Sequence, residues 1–99
     1  MKLENEKALI RTIAEGNTKS FEVLFYSYYP RLKGFICDLL QSPEEAEDIS
    51  QDIFTTLWQN RTSLDKIDNI SAYLFRIAKN AVYRHIERNM LFKNYQQKQ

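Results

Sequence analysis

Cysteine and histidine each occur once in the 99 residues, and glycine and proline twice each. Each scarcity excludes something. A lone Cys37 cannot form an intrachain disulfide, and with only His85 beside it there is no material for a multi-cysteine zinc site or a Cys–His pair. Cys37 reads instead as a small apolar residue. Tight turns depend on Gly and Pro, whose usual shares are about 7% and 5%. A chain so poor in both is not expected to make the many turns of an all-β fold, and points to helices. No apolar run approaches the ~20 residues of a membrane span, and positions 1–5 are too polar for a signal peptide. The expectation is a soluble cytoplasmic protein of one domain, without membrane contact or cofactor. A domain of this size buries roughly 60–70% of its unfolded surface, so its core is real but modest.

What is present is helical periodicity in four segments. Positions 2–15 set Leu3, Leu9, Ile10 and Ile13 among charged residues. Gly16 is placed to end that helix in a left-handed conformation and Asn17 to cap the next. Over 18–41 the apolar positions Phe21, Leu24, Phe25, Tyr28, Leu32, Phe35, Ile36 and Leu39 step by three and four, so one face stays apolar for about six turns. Pro30 falls inside this run without disturbing its phase, which predicts a kinked helix; two helices meeting there are the alternative. Gly34, also inside, costs about 1 kcal/mol relative to Ala, with no reason visible in the sequence.

Ser42-Pro43-Glu44-Glu45 is the sharpest local signal. Ser42 can cap, Pro43 suits the first helical position, and Glu45 can bond back to the Ser42 amide. The helix it opens is predicted to reach about Trp58. Ala46, Ile49, Ile53, Leu57 and Trp58 fall on one side; Glu44, Asp48, Gln51, Asp52 and Thr55 collect opposite. Positions 60–69 break the periodicity and read as an ordered loop pinned by Leu64 and Ile67. Asn69 or Ser71 then caps a last helix to about Arg88, apolar at Ile70, Leu74, Ile77, Ala78 and Ala81, and polar at Arg76, Lys79, Asn80 and Tyr83. Positions 90–99 are polar and Gln-rich, and read as a frayed end or linker. The expected fold is all-α, a compact bundle of about four helices over 1–90, with 91–99 as linker or tail.

The formal net charge is only +1, but it is unevenly placed. Positions 1–35 carry six basic and four acidic residues, 36–68 two and eight, and 69–99 six and one, giving +2, −6 and +5. Glu44, Glu45 and Glu47 suit the positive end of a helix dipole, and basic residues suit the other end. Asp48, Gln51, Asp52 and Thr55 extend the polar stripe past the first turn, where that explanation fades. The last helix interleaves Tyr73, Phe75, Arg76, Lys79, Tyr83 and Arg84. Cations for phosphates and flat rings for unstacked bases are what a single-strand groove needs, although these rings read equally as core. Phe54 and Trp58 read as core rather than contact, and His85 as a packed or capping histidine.

Phe21-Glu22-Val23-Leu24-Phe25, Tyr28-Tyr29-Pro30-Arg31-Leu32, Ala46-Glu47-Asp48-Ile49-Ser50-Gln51-Asp52-Ile53-Phe54, Leu57-Trp58 and Ala72-Tyr73-Leu74-Phe75-Arg76-Ile77-Ala78-Lys79-Asn80 occur in that order. Together, over about positions 5–90, they resemble region 2 of the extracytoplasmic-function sigma factors, bacterial initiation subunits of RNA polymerase. The resemblance implies two binding surfaces and no enzymatic activity. The third helix would dock on the β′ clamp coiled coil of core RNA polymerase through Asp48, Gln51, Asp52 and Thr55. Carboxylate and amide acceptors suit a partner rich in Arg and Lys, with apolar packing alongside.

The loop and last helix would recognise and melt the −10 promoter element, holding its non-template strand. The residues implied are Asn60, Arg61, Ser63, Leu64 and Lys66 in the loop and Arg76, Lys79, Asn80, Tyr83 and Arg84 on the helix. Asn80 stands where the family's Arg-Ile-Ala-x-Asn motif has its Asn, and an amide both donates to and accepts from base edges. Many relatives carry Asp where Arg84 stands. Many also have an anti-sigma factor as partner and a second helical domain, region 4, which is absent from these 99 residues. The expected state is a monomer. The alternatives are a helical protein-docking module without DNA contact, which would not need the basic last segment, and a small helical enzyme, for which one His and one Cys leave little material.

Overall fold

A computed structural model describes residues 6–97, and side chains as far as Leu91. The order is α1 (Glu6–Ala14), α2 (Thr18–Leu40), α3 (Pro43–Gln59), a 3₁₀ segment (Arg61–Lys66) and α4 (Ile70–Gln97). The boundaries follow local chemistry. Gly16 takes φ +98°, a left-handed value a side chain would strain, and turns the chain from α1 into α2. Asn17 caps α2 by accepting from the Ser20 amide at 3.0 Å. Ser42 caps α3 by accepting from the Glu45 amide at 3.3 Å, with Pro43 following. Asn69 caps α4 by accepting from the Ala72 amide at 3.0 Å, resolving the choice between it and Ser71.

The helix carrying Pro30 is one helix through Leu40, as expected, and not the alternative of two; Pro30 is exposed, so the Tyr26 carbonyl that it cannot serve lies on the wet side. Two expectations change. Glu45 does not close a capping box: its carboxylate lies 3.1 Å from His85 Nε2, joining the start of α3 to α4. The polar end at 90–97, expected as frayed or linker, continues α4 to Gln97, while 98–99 lie outside the described residues.

Helices α2, α3 and α4 supply the core through Leu24, Tyr28, Leu32, Ile36, Ala46, Phe54, Leu57, Leu74, Ala78 and Val82. Each large side chain taken out of water there contributes about 1.5–3 kcal/mol. Short α1 lays Ile10 and Ile13 against this core and packs mainly on the 3₁₀ segment, which buries Leu64. Tyr28 is buried at the α1–α2–α4 junction, its hydroxyl 3.5 Å from Glu6. Burial first, then the Glu6 carboxylate, pushes its phenol above the ordinary value, with Arg31 and Ser71 pulling the other way. The loop is thus held on a helical platform from two sides.

Candidate functional site

The outer face of α3 forms as its periodicity requires. Glu44, Asp48, Gln51, Asp52 and Thr55 are all exposed, and the opposite side is buried through Ala46, Ser50, Ile53, Phe54 and Leu57. Beside this stripe lies an aromatic cleft of about 570 Å³ between α2 and α3. Phe21, Phe25, Phe54 and Trp58 line it, and so do Gln51 and Thr55 of the stripe. The rings meet edge-on or tilted, Phe21–Trp58 at 5.1 Å and Phe25–Phe54 at 5.1 Å between centroids. Half-exposed rings beside uncharged hydrogen-bonding groups make a surface for protein rather than for phosphate.

On the other flank of α3 a groove of about 390 Å³ runs between α3, the 3₁₀ segment and α4. Its walls are apolar at Ile53, Leu57 and Ile77; Asn60, Ser63, Tyr73, Arg84 and Arg88 supply polar groups, and Asp52 enters from α3. His85, bridged to Glu45, also lines it. A shallower depression on α4 holds Asn80, Tyr83 and Glu87 and shares Ile77 and Arg84 with the groove. The two adjoin across these side chains as a trough on the α4 side of the domain. Along its edge Arg76 lies 5.6 Å from the Tyr73 ring and Lys79 5.8 Å from the Tyr83 ring, both cations exposed.

The residues singled out in the sequence sort clearly. Asp48, Gln51 and Thr55 share one exposed face; Asp52 belongs to that face and also to the groove. Arg76, Lys79, Asn80, Tyr83 and Arg84 are exposed together on α4, with Tyr83 52% accessible. Asn60 and Ser63 reach the groove, Asn60 with its amide donating to the Thr56 carbonyl at 3.0 Å. Lys66 is exposed at the end of the 3₁₀ segment.

Two loop residues sit further in than the others. Leu64, expected as a DNA contact, is 2% accessible and packs in the core beneath the loop, where it forms part of the groove's floor. Arg61, expected likewise, is half-buried and folds back over Trp58.

Sequence reasoning left Tyr73 open between groove and core, missed Arg88 as a groove residue and missed the aromatic cleft. Arg88 stands one turn beyond Arg84, a spacing that puts both on one side. The cleft had a signal too: Phe21, Phe25 and Tyr29 add a second apolar row to α2, wider than one core-facing stripe needs. Trp58 is half-exposed there, while Phe54 is core. Among the described residues no group of three or more His, Cys, Asp or Glu stands close enough to hold a metal ion. No described helix is long and apolar enough to cross a membrane.

Comparison with known proteins bears on these surfaces. The family model for sigma-70 region 2 matches residues 24–91. The RNA polymerase sigma-H factor of Pseudomonas aeruginosa is 23% identical over 83 residues, covering 84% of this chain and 43% of its own. The ECF RNA polymerase sigma factor RpoE of Cereibacter sphaeroides is 31% identical over 75 residues, covering 74% of this chain and 41% of its own. The chain thus spans about two fifths of the length of these relatives. An NMR structure of an engineered region 2 of sigmaE in complex with GTAAAA superposes with a TM-score of 0.70 at 22% identity, covering 89% of this chain and 93% of that one, a likeness of fold. With a family model matched over most of its length, and the four-helix arrangement that the match implies, the chain belongs to the sigma-70 region 2 family.

Proposed function

We propose that this chain serves transcription initiation. It binds core RNA polymerase at the β′ clamp coiled coil through the outer face of α3, and it recognises and melts the −10 promoter element through the loop and α4. The observation that carries the reading is the position of the trough. A pocket with apolar walls and amide and hydroxyl groups opens directly onto an exposed row of cations, with the carboxylate-rich stripe on the neighbouring face. Opening DNA requires a base to leave its stack, which costs a few kcal/mol. A site that stabilises the open strand must offer shelter for the base and positive charge for the phosphates in the same place. The groove supplies the first through Asn60, Ser63 and Tyr73, and α4 supplies the second through Arg76, Lys79 and Arg84.

The polymerase contact follows from α3. Asp48 and Asp52 accept from Arg and Lys of a basic coiled coil, and Gln51 and Thr55 hydrogen-bond alongside. The aromatic cleft takes apolar side chains of the same partner, which is where much of the affinity of such an interface resides. Binding energy, not covalent chemistry, does the work.

The test is a selection from single-stranded DNA with a randomised six-nucleotide window, in the presence of core polymerase, with GTAAAA as the reference probe. The expected result is enrichment of one short motif, with affinity falling as salt rises from 50 to 200 mM, as counterion release requires. Polymerase capture without any motif would instead identify a docking module that leaves DNA alone.

A further inference from the structure

Arg61 is the first residue of the 3₁₀ segment, and its guanidinium carbon lies 4.4 Å from the centroid of the Trp58 ring. Of the cation–ring pairs formed here by Arg31, Arg61, Arg76 and Lys79, this is the closest; the others span 5.3–5.8 Å. Its Nη1 also donates to the Trp58 carbonyl at 3.0 Å. That carbonyl is among the last of α3, where a helix leaves acceptors unsatisfied and favours a cation. The head group also stands near the turn between α1 and α2, where a Cβ added at Gly16 would lie 3.9 Å from Arg61 Nε. One half-buried side chain thus ties the loop's start to the end of α3 and stands near the α1–α2 turn.

Besides its packing against α1, the loop has few hydrogen bonds to fix its direction. Its backbone hydrogen bonds are local, from the Ser63 amide to the Asn60 carbonyl and from the Ile67 amide to the Leu64 carbonyl. Leu64 and half-buried Ile67 set how deep the segment sits, but aliphatic packing carries little directional preference for the residues between Asn60 and Ser63. A planar cation both stacked and hydrogen-bonded removes that freedom. Asn60 and Ser63, flanking Arg61 on either side, are the polar loop residues of the groove. We propose that Arg61 is a positioning residue, a latch that holds the loop in the register placing Asn60 and Ser63 in the groove, and that it does not itself contact DNA. This rests on the promoter reading for its role in recognition, though not for the latch itself. Trp58 serves both as the latch's platform and as a wall of the aromatic cleft, so the loop is anchored on a residue beside the polymerase face.

Two variants test it, Arg61→Ala and Arg61→Lys, in two measurements. In hydrogen exchange, the amides of Ser63 and Ile67 are expected to exchange about tenfold faster in both variants, since Lys keeps the charge but not the plane, while core amides of α2 stay unchanged. Unchanged exchange at Ser63 and Ile67 would overturn the latch. In binding to the reference and scrambled single strands, both variants are expected to lose about tenfold in discrimination with the slope of log affinity against log salt unaltered. A slope reduced by about 0.7 in Arg61→Ala alone, with discrimination intact, would make Arg61 a phosphate contact and overturn the proposal. A wild-type chain that discriminates no sequence would sink the promoter reading, and the exchange rates would still decide the latch.

Discussion

The outer faces of α3 and α4 are alike in construction and opposite in chemistry. Each is the wet side of an amphipathic helix whose other side fills the same core, and each sets its polar residues at steps of three and four. On α3 they are Asp48, Gln51, Asp52 and Thr55; on α4 they are Arg76, Lys79, Asn80 and Tyr83. The difference lies in what stands beside them. The α3 stripe borders a cleft floored by Phe21, Phe25, Phe54 and Trp58, which suits an apolar protein segment. The α4 stripe borders a trough whose polar groups come from the loop and from α4 itself, which suits a base. A charged stripe does not name its partner; its neighbours do. Asp52 belongs to both settings, and Asp52→Arg is the change that most sharply tests their separation.

Asp52→Arg is expected to give the largest effect. Capture by a β′ clamp coiled coil should fall by about 100-fold, because a like charge replaces an acceptor at a basic interface. Binding of single-stranded DNA should strengthen a few-fold in the same protein, since the groove trades a carboxylate for a cation. Surface plasmon resonance with each ligand in turn measures both. Equal losses on the two ligands would mean the faces are not separate.

Lys79→Glu should act on one side only. Single-strand affinity is expected to drop by about tenfold at low salt and the salt slope by about 0.7, with clamp capture unchanged. Fluorescence anisotropy across a salt series reads both quantities, and a slope equal to wild type would remove Lys79 from the strand contact.

Gly34→Ala is the control, and its effect is the smallest. Gly34 is exposed in the interior of α2, and a Cβ added there meets nothing within 4 Å. Ala should stabilise the fold by about 0.5–1 kcal/mol, read from urea denaturation, without moving either affinity. A loss of stability would reveal a contact at this face.

Much of this arrangement could be read from the residues because periodicity reports direction. Every residue assigned to the polar side of α3 is exposed, and the apolar steps of α2 lead to Leu24, Tyr28, Leu32 and Ile36 in the core. Asn17, Ser42 and Asn69 are caps because a short side-chain oxygen reaches the first free amides. The loop was the opposite case. Positions 60–69 have no period, so nothing local says which side chains point inwards. Arg61 turned back three residues onto Trp58, a choice that periodicity does not report, while Leu64 went to the core beside α1, which is distant in sequence. Glu45 met His85 for the same reason: the partner across the bundle displaced the neighbour along the chain. The aromatic cleft also depended on how two helices meet. Face assignments were legible; pockets formed between elements were not.

On the reading proposed above, two partners occupy two faces of one small domain together. The most direct measurement loads the wild-type chain with a β′ clamp coiled coil and titrates single-stranded −10 DNA onto the pair, reading stoichiometry by sedimentation velocity. A complex of one chain, one coiled coil and one strand is the expected result. Release of the coiled coil in proportion to added DNA would show one shared surface and contradict the account.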